Sequence, residues 1–236
     1  MTQSIRFAHA TRTECILEPG RWDWEQQNAD LVASHWAGLK ERQPALFDGE
    51  VLVLRAGGIE GGVFRGAYRR TRYAAFLTAR DFGFPDGTTR NAFSMGALRS
   101  RDGAFLLGVM GVHTANPGKI YFAAGTPDMS DVVDGVVDLS GSVAREILEE
   151  TGLAPEELTF ADDWTVVSLG PRIALMRKVV IDLPAEEAKA MIERNLAEQA
   201  EPELAGIHIV RGEPDLDLAM MPDFMIGYLR REFSSP

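Results

Sequence analysis

The stretch Arg145-Glu146-Ile147-Leu148-Glu149-Glu150-Thr151-Gly152-Leu153 decides how the rest of the chain is read. At about 100° per residue, Glu146, Glu149 and Glu150 fall on one face of a helix. Val143, Ala144, Ile147 and Leu148 take the other side, which is predicted to pack on a sheet. Three carboxylates within about one turn repel one another and weaken an isolated helix. A hard divalent cation such as Mg²⁺ or Mn²⁺ relieves that repulsion, because both ions prefer oxygen ligands. Gly152 is predicted to end the helix, since the left-handed conformation costs glycine least. Taken alone, the three glutamates read as a solvated acidic face, the usual meaning of a charge run.

The whole string says more. It resembles the second half of the Nudix box, G-x5-E-x7-R-E-U-x-E-E-x-G-U with U apolar. From Arg145 to Leu153 every specified position matches. The resemblance implies a loop–helix–loop that holds divalent metal against a diphosphate, with Glu146, Glu149 and Glu150 as metal ligands. It implies that Arg145 orients a glutamate by a charge-assisted contact. The implied reaction is hydrolysis of a nucleoside diphosphate linked to another group.

The first half of the box departs from the pattern. In strict register its Gly and Glu fall on Asp131 and Val137. A better alignment uses Gly125, which follows Tyr121-Phe122-Ala123-Ala124. Nineteen residues then separate Gly125 from Arg145, against thirteen in the family, so the loop carries six extra residues. The stretch that carries the insertion, Asp128-Met129-Ser130-Asp131-Val132-Val133-Asp134, is rich in aspartate. Asp138 is predicted to cap the helix N-terminus rather than to touch metal.

Composition narrows the partners. The chain has 236 residues, 45% of them hydrophobic and 25% charged, with a formal net charge of −11. Such a chain repels a nucleic-acid polymer overall, while a few arginines and a metal overcome the field locally for a small anionic nucleotide. Cys15 is the only cysteine, which fits a reducing cytoplasm. The N-terminus has no basic start leading into a long apolar run, so neither a signal peptide nor a membrane partner is expected. A homodimer stays open.

Outward from the box, residues 1–20 read as extended, ending in a turn at Glu18-Pro19-Gly20. Residues 22–42 suggest one amphipathic helix, stopped by Pro44. Residues 51–54 and 63–68 read as strands of a hairpin whose turn lies between Gly57-Gly58 and Gly61-Gly62, and residues 72–82 as a short helix. Further strands are predicted at 93–98, 104–110, 120–123, 164–169, 173–181 and 207–210, and helices at 185–200 and 222–233. This order suits an α/β (α+β) fold in which helices cover a mixed sheet. It also fits the α/β/α sandwich that the resemblance implies over residues 91–236, with residues 1–90 as an N-terminal α/β extension or small domain. No Pro/Gly/Ser-rich linker separates the two parts, which favours close packing.

Other site candidates follow from charge. Arg69, Arg70, Arg72 and Arg80 cluster, and guanidinium groups match phosphate. Each is also readable as a surface arginine paired with a carboxylate. Lys119 precedes the strand leading to Gly125 and is a further phosphate candidate, and His113 is a loop residue that titrates near neutral pH. The family resemblance implies an additional glutamate after the box, as base or ligand, and Glu198, Glu201 and Glu203 are the candidates. The general base is therefore Glu149 or a later carboxylate. The expected activity is Mg²⁺- or Mn²⁺-dependent pyrophosphohydrolysis. A looser resemblance of residues 44–76 to the UDP-sugar pyrophosphatase branch suggests a UDP-sugar, with ADP-ribose-like dinucleotides next. The alternative is a non-catalytic Nudix-like module that binds a nucleotide for regulation.

Overall fold

A computed structural model describes residues 4–234. In chain order the elements are β1 (Arg6–Ala10), β2 (Arg12–Arg21), α1 (Asp23–Gln27), α2 (Ala29–Arg42), β3 (Glu50–Glu60), β4 (Val63–Arg72), α3 (Tyr73–Asp81), β5 (Asn91–Ser100), β6 (Phe105–Met110) and β7 (Ile120–Tyr121). There follow β8 (Val132–Val133), β9 (Val136–Val137), α4 (Leu139–Thr151), β10 (Leu158–Leu169), β11 (Arg172–Ile181), α5 (Ala185–Glu198), β12 (Leu204–Val210) and α6 (Asp223–Ser234).

The strands form two sheets. The larger runs β1-β10-β11-β5-β6-β12, with β7 on β6, and β11 pairs parallel with β5 while its other pairings are antiparallel. Its two faces alternate in sequence as a pleat requires. Ile173, Leu175 and Val179 of β11 face the core shared with Val143 and Ile147 of α4 and Ile192 and Leu196 of α5. Ala174 and Met176 face the opposite core with Phe224, Tyr228 and Leu229 of α6. The result is the expected α/β/α sandwich with a mixed sheet.

The smaller sheet runs β3-β4-β2-β9-β8. Leu52, Leu54, Phe64 and Tyr68 turn toward the same core as α4 and α5. Val51 and Val53, on the other face, pack with Trp22, Trp24, Phe76 and Phe84 beside α1 to α3. Residues before and after position 90 thus contribute to both sheets: β1 pairs with β10, and β2 pairs with β9 from the aspartate-rich loop.

Several local expectations need correction. Glu18-Pro19-Gly20 is not a turn; β2 runs through it to Arg21, absorbing the irregularity as a register shift between Leu17 and Arg21. Gly57-Gly58 likewise lies within β3, opposite Gly66 and Arg65, and the hairpin turns at Gly61-Gly62 alone. The single helix expected over 22–42 is broken at Asn28, whose backbone leaves the helical region and whose side-chain amide donates to the Trp24 carbonyl. β10 begins at Leu158, six residues early, because a bulge between Phe160 and Trp164 interrupts the alternation that marks a strand. No helix among the described residues is long and apolar enough to cross a membrane.

Candidate active site

The site begins with a fork in the large sheet. β5 and β6 pair only at Arg99 and Phe105 and then diverge. β7 fills the gap by pairing with β6, and Gly96 N–H donates to the Ala123 carbonyl at 3.2 Å. This delivers Ala124 and Gly125 to the sheet's open end, where α4 crosses. A Cβ on Gly96 would lie 2.4 Å from Ile147 Cδ1, so the missing side chain lets α4 settle directly on β5.

The ends of α4 follow local chemistry. The Asp138 carboxylate accepts from the backbone N–H groups of Ser140 and Gly141 at 3.1 and 2.9 Å, as expected of a cap. Gly152 closes the helix at φ 70°. Between them the buried stripe is Leu139, Ser142, Val143, Glu146, Ile147, Glu150 and Thr151. Glu146 and Glu150 therefore lie on the packed side, and Leu148, expected there, is 44% exposed. Glu146 and Leu148 are about 200° apart around the axis, so packing one against the loop turns the other outward.

The two buried glutamates meet the Ala124-Gly125 loop. Glu150 accepts from Ala124 N–H at 3.0 Å through Oε1, while its buried Oε2 has no hydrogen-bond partner among the described residues. The Glu146 carboxylate lies so close to Gly125 that a Cβ there would come within 2.2 Å of Oε1. Burial pushes the Glu146 carboxyl up to about 7; the Arg145 charge acts against that, and Glu149, Asp131 and Glu203 reinforce it. Burial likewise raises Glu150, the Ala124 N–H works against it, and Glu146, Glu203 and Glu149 add repulsion. Glu149 points elsewhere: its side chain is 57% exposed and pairs with Arg145 Nη1 at 2.9 Å.

Arg145 Nη2 contacts Glu146 Oε1 at 2.8 Å and Asp131 Oδ1 at 2.9 Å. Burial opposes the guanidinium charge, but Asp131, Glu146 and Glu149 together hold it firmly protonated. Asp131, only 1% exposed at its side chain, sits in the added loop stretch and also accepts from Asp128 N–H at 3.0 Å. The loop thus supplies a carboxylate for Arg145 where strict register offers Val137. Nothing in the sequence singled out Asp131 among the four aspartates at 128, 131, 134 and 138, since only the three-dimensional course of the loop brings one of them to Arg145.

A cavity of about 510 Å³ opens beside Ala124 and Gly125. Lys119 lines it, donating to the Ala219 carbonyl at 3.1 Å, and so do Arg80 and Arg172. Arg69, Arg70 and Arg72 are not among its lining residues. Arg69 pairs with Glu18 at 3.2 Å and Arg72 with Asp48 at 3.1 Å, the ordinary surface pairing that the sequence also allowed. Arg70 is half-buried, with a buried Nε that lacks a hydrogen-bond partner. Of the later glutamates, Glu203 is the one whose charge acts on Glu146, Glu150, Tyr73 and Tyr121. Glu198 and Glu201 are exposed at and after the end of α5, and His113 is exposed in its loop.

Residues 145–153 have the form of the second half of a Nudix box. No family model matches the chain, and no curated protein matches it. Solved structures similar to it include a Nudix hydrolase from M. smegmatis, RenU, at 16% identity and a TM-score of 0.39, covering 61% of this chain and 82% of that one. Another is a MutT protein from Methanosarcina mazei Go1, at 16% identity and a TM-score of 0.35, covering 61% of this chain and 94% of that one. Neither likeness bears on what this chain acts upon.

Hard oxygen donors, an unpartnered buried oxygen on Glu150 and a side-chain-free wall at Gly125 suit a hard divalent cation. In the conformation described, Arg145 engages Glu146 and Glu149, and no three His, Cys, Asp or Glu side chains among the described residues are drawn together tightly enough to enclose an ion.

Proposed function

We propose that this chain is a Nudix-type pyrophosphohydrolase that cleaves the diphosphate of a nucleoside diphosphate linked to a second group. The observation that carries this reading is the convergence of Glu146 and Glu150, both buried, on the Ala124-Gly125 loop at the edge of a cavity. Arg145 is the counter-charge of Glu146, while Glu150 is buried beside it with none among the described residues; burying that second carboxylate costs several kcal/mol, so its retention favours a cationic occupant. Glu146, Glu149 and Glu150 would hold Mg²⁺ or Mn²⁺. When bound, the metal neutralises diphosphate oxygens and acidifies water.

The chain's own groups do the rest. Gly125, lacking a side chain, lets the Glu146 carboxylate lie against the loop backbone. Arg145, anchored by Asp131, steers Glu146 and Glu149. A carboxylate removes the proton from the attacking water; Glu149, exposed and paired with Arg145, and Glu203, whose charge reaches the buried pair, are the two candidates. The P–O bond to the leaving phosphoryl group breaks as the water oxygen bonds to phosphorus. The looser resemblance of residues 44–76 to the UDP-sugar pyrophosphatase branch makes a UDP-sugar the first compound to try, followed by ADP-ribose-like dinucleotides.

The test is product release with Mg²⁺ or Mn²⁺ over UDP-sugars, dinucleotides and nucleoside triphosphates, with a chelated control. Cleavage of the diphosphate-linked compounds is expected, and cleavage of triphosphates alone would refute the substrate class. The second reading, a non-catalytic nucleotide-binding module, draws on Arg145 engaging two of the three glutamates. It predicts nucleotide binding with no turnover under any metal.

A further inference from the structure

The cavity beside Gly125 carries a second chemistry that the carboxylates do not explain. Three cations line it from separate parts of the chain: Arg80 from α3, Lys119 ahead of β7 and Arg172 at the start of β11. In a protein of net charge −11 this is a local reversal of sign. Arg172 makes no ion pair among the described residues; its guanidinium lies over the Phe224 ring at 5.0 Å. Burial and the neighbouring Arg80 charge both work against keeping Arg172 protonated, and Asp223, also on the cavity wall, offsets them in part. Arg80 spends part of its charge on Asp81 at 2.9 Å, and among the described residues the Lys119 ammonium donates only to a backbone carbonyl. Positive groups held together in a half-buried wall, short of carboxylates, are stabilised by an anion from outside.

Rings complete the wall. Tyr73 stacks on Phe76 with centroids 5.9 Å apart, and Phe93 meets Phe224 edge-on at 6.1 Å. All four line the cavity, as does Tyr121. Such surfaces suit a flat heterocycle, whose faces stack on aromatic rings. Because Ala124 and Gly125 form one border, an anion between the cations and the box helix would place its phosphates beside Glu146 and Glu150.

We propose that this cavity is a nucleoside diphosphate subsite, in which Arg80, Lys119 and Arg172 hold the phosphate oxygens and the Tyr73, Phe76, Phe93 and Phe224 rings face the base. The assignment rests on the box helix being the reacting centre. It moves phosphate recognition away from Arg69 and Arg72, which carry carboxylate partners of their own.

The experiment is calorimetric binding of UDP, inorganic pyrophosphate and uridine to the full chain with metal chelated. The variants are Arg172→Met, which keeps an apolar stem over Phe224, Lys119→Met, Arg80→Met and, as a charge control far from the cavity lining, Arg101→Met. Losing one charge-assisted phosphate contact is expected to weaken UDP and pyrophosphate about tenfold or more. Uridine is expected to hold within about twofold and the Arg101→Met protein to bind as wild type. Equal weakening for uridine and UDP, loss in Arg101→Met as large as in Arg172→Met, or a wild-type protein that binds neither UDP nor pyrophosphate would each overturn the proposal. Thermal melting of each variant separates lost binding from lost fold, and Lys119→Met, a largely solvent-side change, keeps the test open should Arg172→Met unfold. Turnover plays no part in this readout. A chain that binds UDP through Arg172 yet hydrolyses nothing would keep the subsite and remove the hydrolase, and a working hydrolase indifferent to all three cations would do the reverse.

Discussion

Glu150 and Asp131 are both acidic and both buried, yet they are held for opposite reasons. Asp131 has its counter-charge: Arg145 at 2.9 Å, with Asp128 N–H on the other oxygen. Removing it in Asp131→Ala leaves Arg145 short of a buried partner and opens the loop, and we expect a loss of about 2–4 kcal/mol in urea unfolding, below the full buried-pair range because Arg145 is part-exposed. An effect within about 0.5 kcal/mol would show the pair to be an incidental contact. Among the described residues Glu150 has no counter-charge and leaves one oxygen unpartnered. In Glu150→Gln the amide oxygen still accepts from Ala124 N–H, so the fold should survive with a metal-free melting temperature no lower than wild type. Turnover should fall by at least the ~10–100-fold typical of losing a group in a metal's outer shell, and the melting-temperature gain on adding Mn²⁺ should shrink. Near-normal turnover at saturating metal would take Glu150 out of the mechanism.

The elements were unequally legible. Helix α4 was readable almost to the residue, because its signals are local: an aspartate cap, a 3.6-residue apolar period and a terminal glycine. Its exposed and buried sides were harder. Glu146 and Glu150 share the packed stripe with Val143 and Ile147, and an apolar-inward rule cannot anticipate two buried carboxylates. Leu148 is displaced outward as a result. Asn28 and Gly57-Gly58 depart from expectation in opposite directions: Asn28 divides a helix expected to be continuous, and Gly57-Gly58 is carried straight through β3 by sheet pairing, which punctuating residues in a sequence do not reveal. The cavity was illegible for a different reason: Arg80, Lys119 and Arg172 are 39 and 53 residues apart along the chain, and only the forked sheet and α3 bring them to one wall. At this scale the cap gives a clean test. Asp138→Ala should cost about 1 kcal/mol in chemical denaturation and leave turnover near wild type, because its carboxylate is used on Ser140 and Gly141. A large loss of activity at unchanged stability would instead move Asp138 into the metal site.

For the whole molecule, the consequence of the two-sheet arrangement is that the first 90 residues and the remainder are expected to unfold together. β1 is an edge strand of the large sheet, paired with β10, while β2 crosses directly into the small sheet and pairs with β9 from the box loop. The core that holds α4 and α5 also contains Leu52, Leu54, Phe64 and Tyr68, and the Tyr68 hydroxyl donates to the Ala92 carbonyl at 3.3 Å. Stripping those side chains from one core would expose large apolar groups, each worth about 1.5–3 kcal/mol when buried. Cys15 offers a built-in probe. It is the only thiol, it lies in that same core, and burial pushes its pKa up to about 12, so in the native state it is both inaccessible and un-ionised. A thiol reagent at mildly alkaline pH should therefore label Cys15 only when the chain opens, and the labelling free energy should track global unfolding across a denaturant series. Hydrogen exchange at Val166 and Leu175, in the large sheet, should report the same free energy. Cys15 labelling at low denaturant, with exchange at β10 and β11 still fully protected, would mean that the small sheet opens on its own, and the 91–236 segment would then be expected to survive as an independent fold.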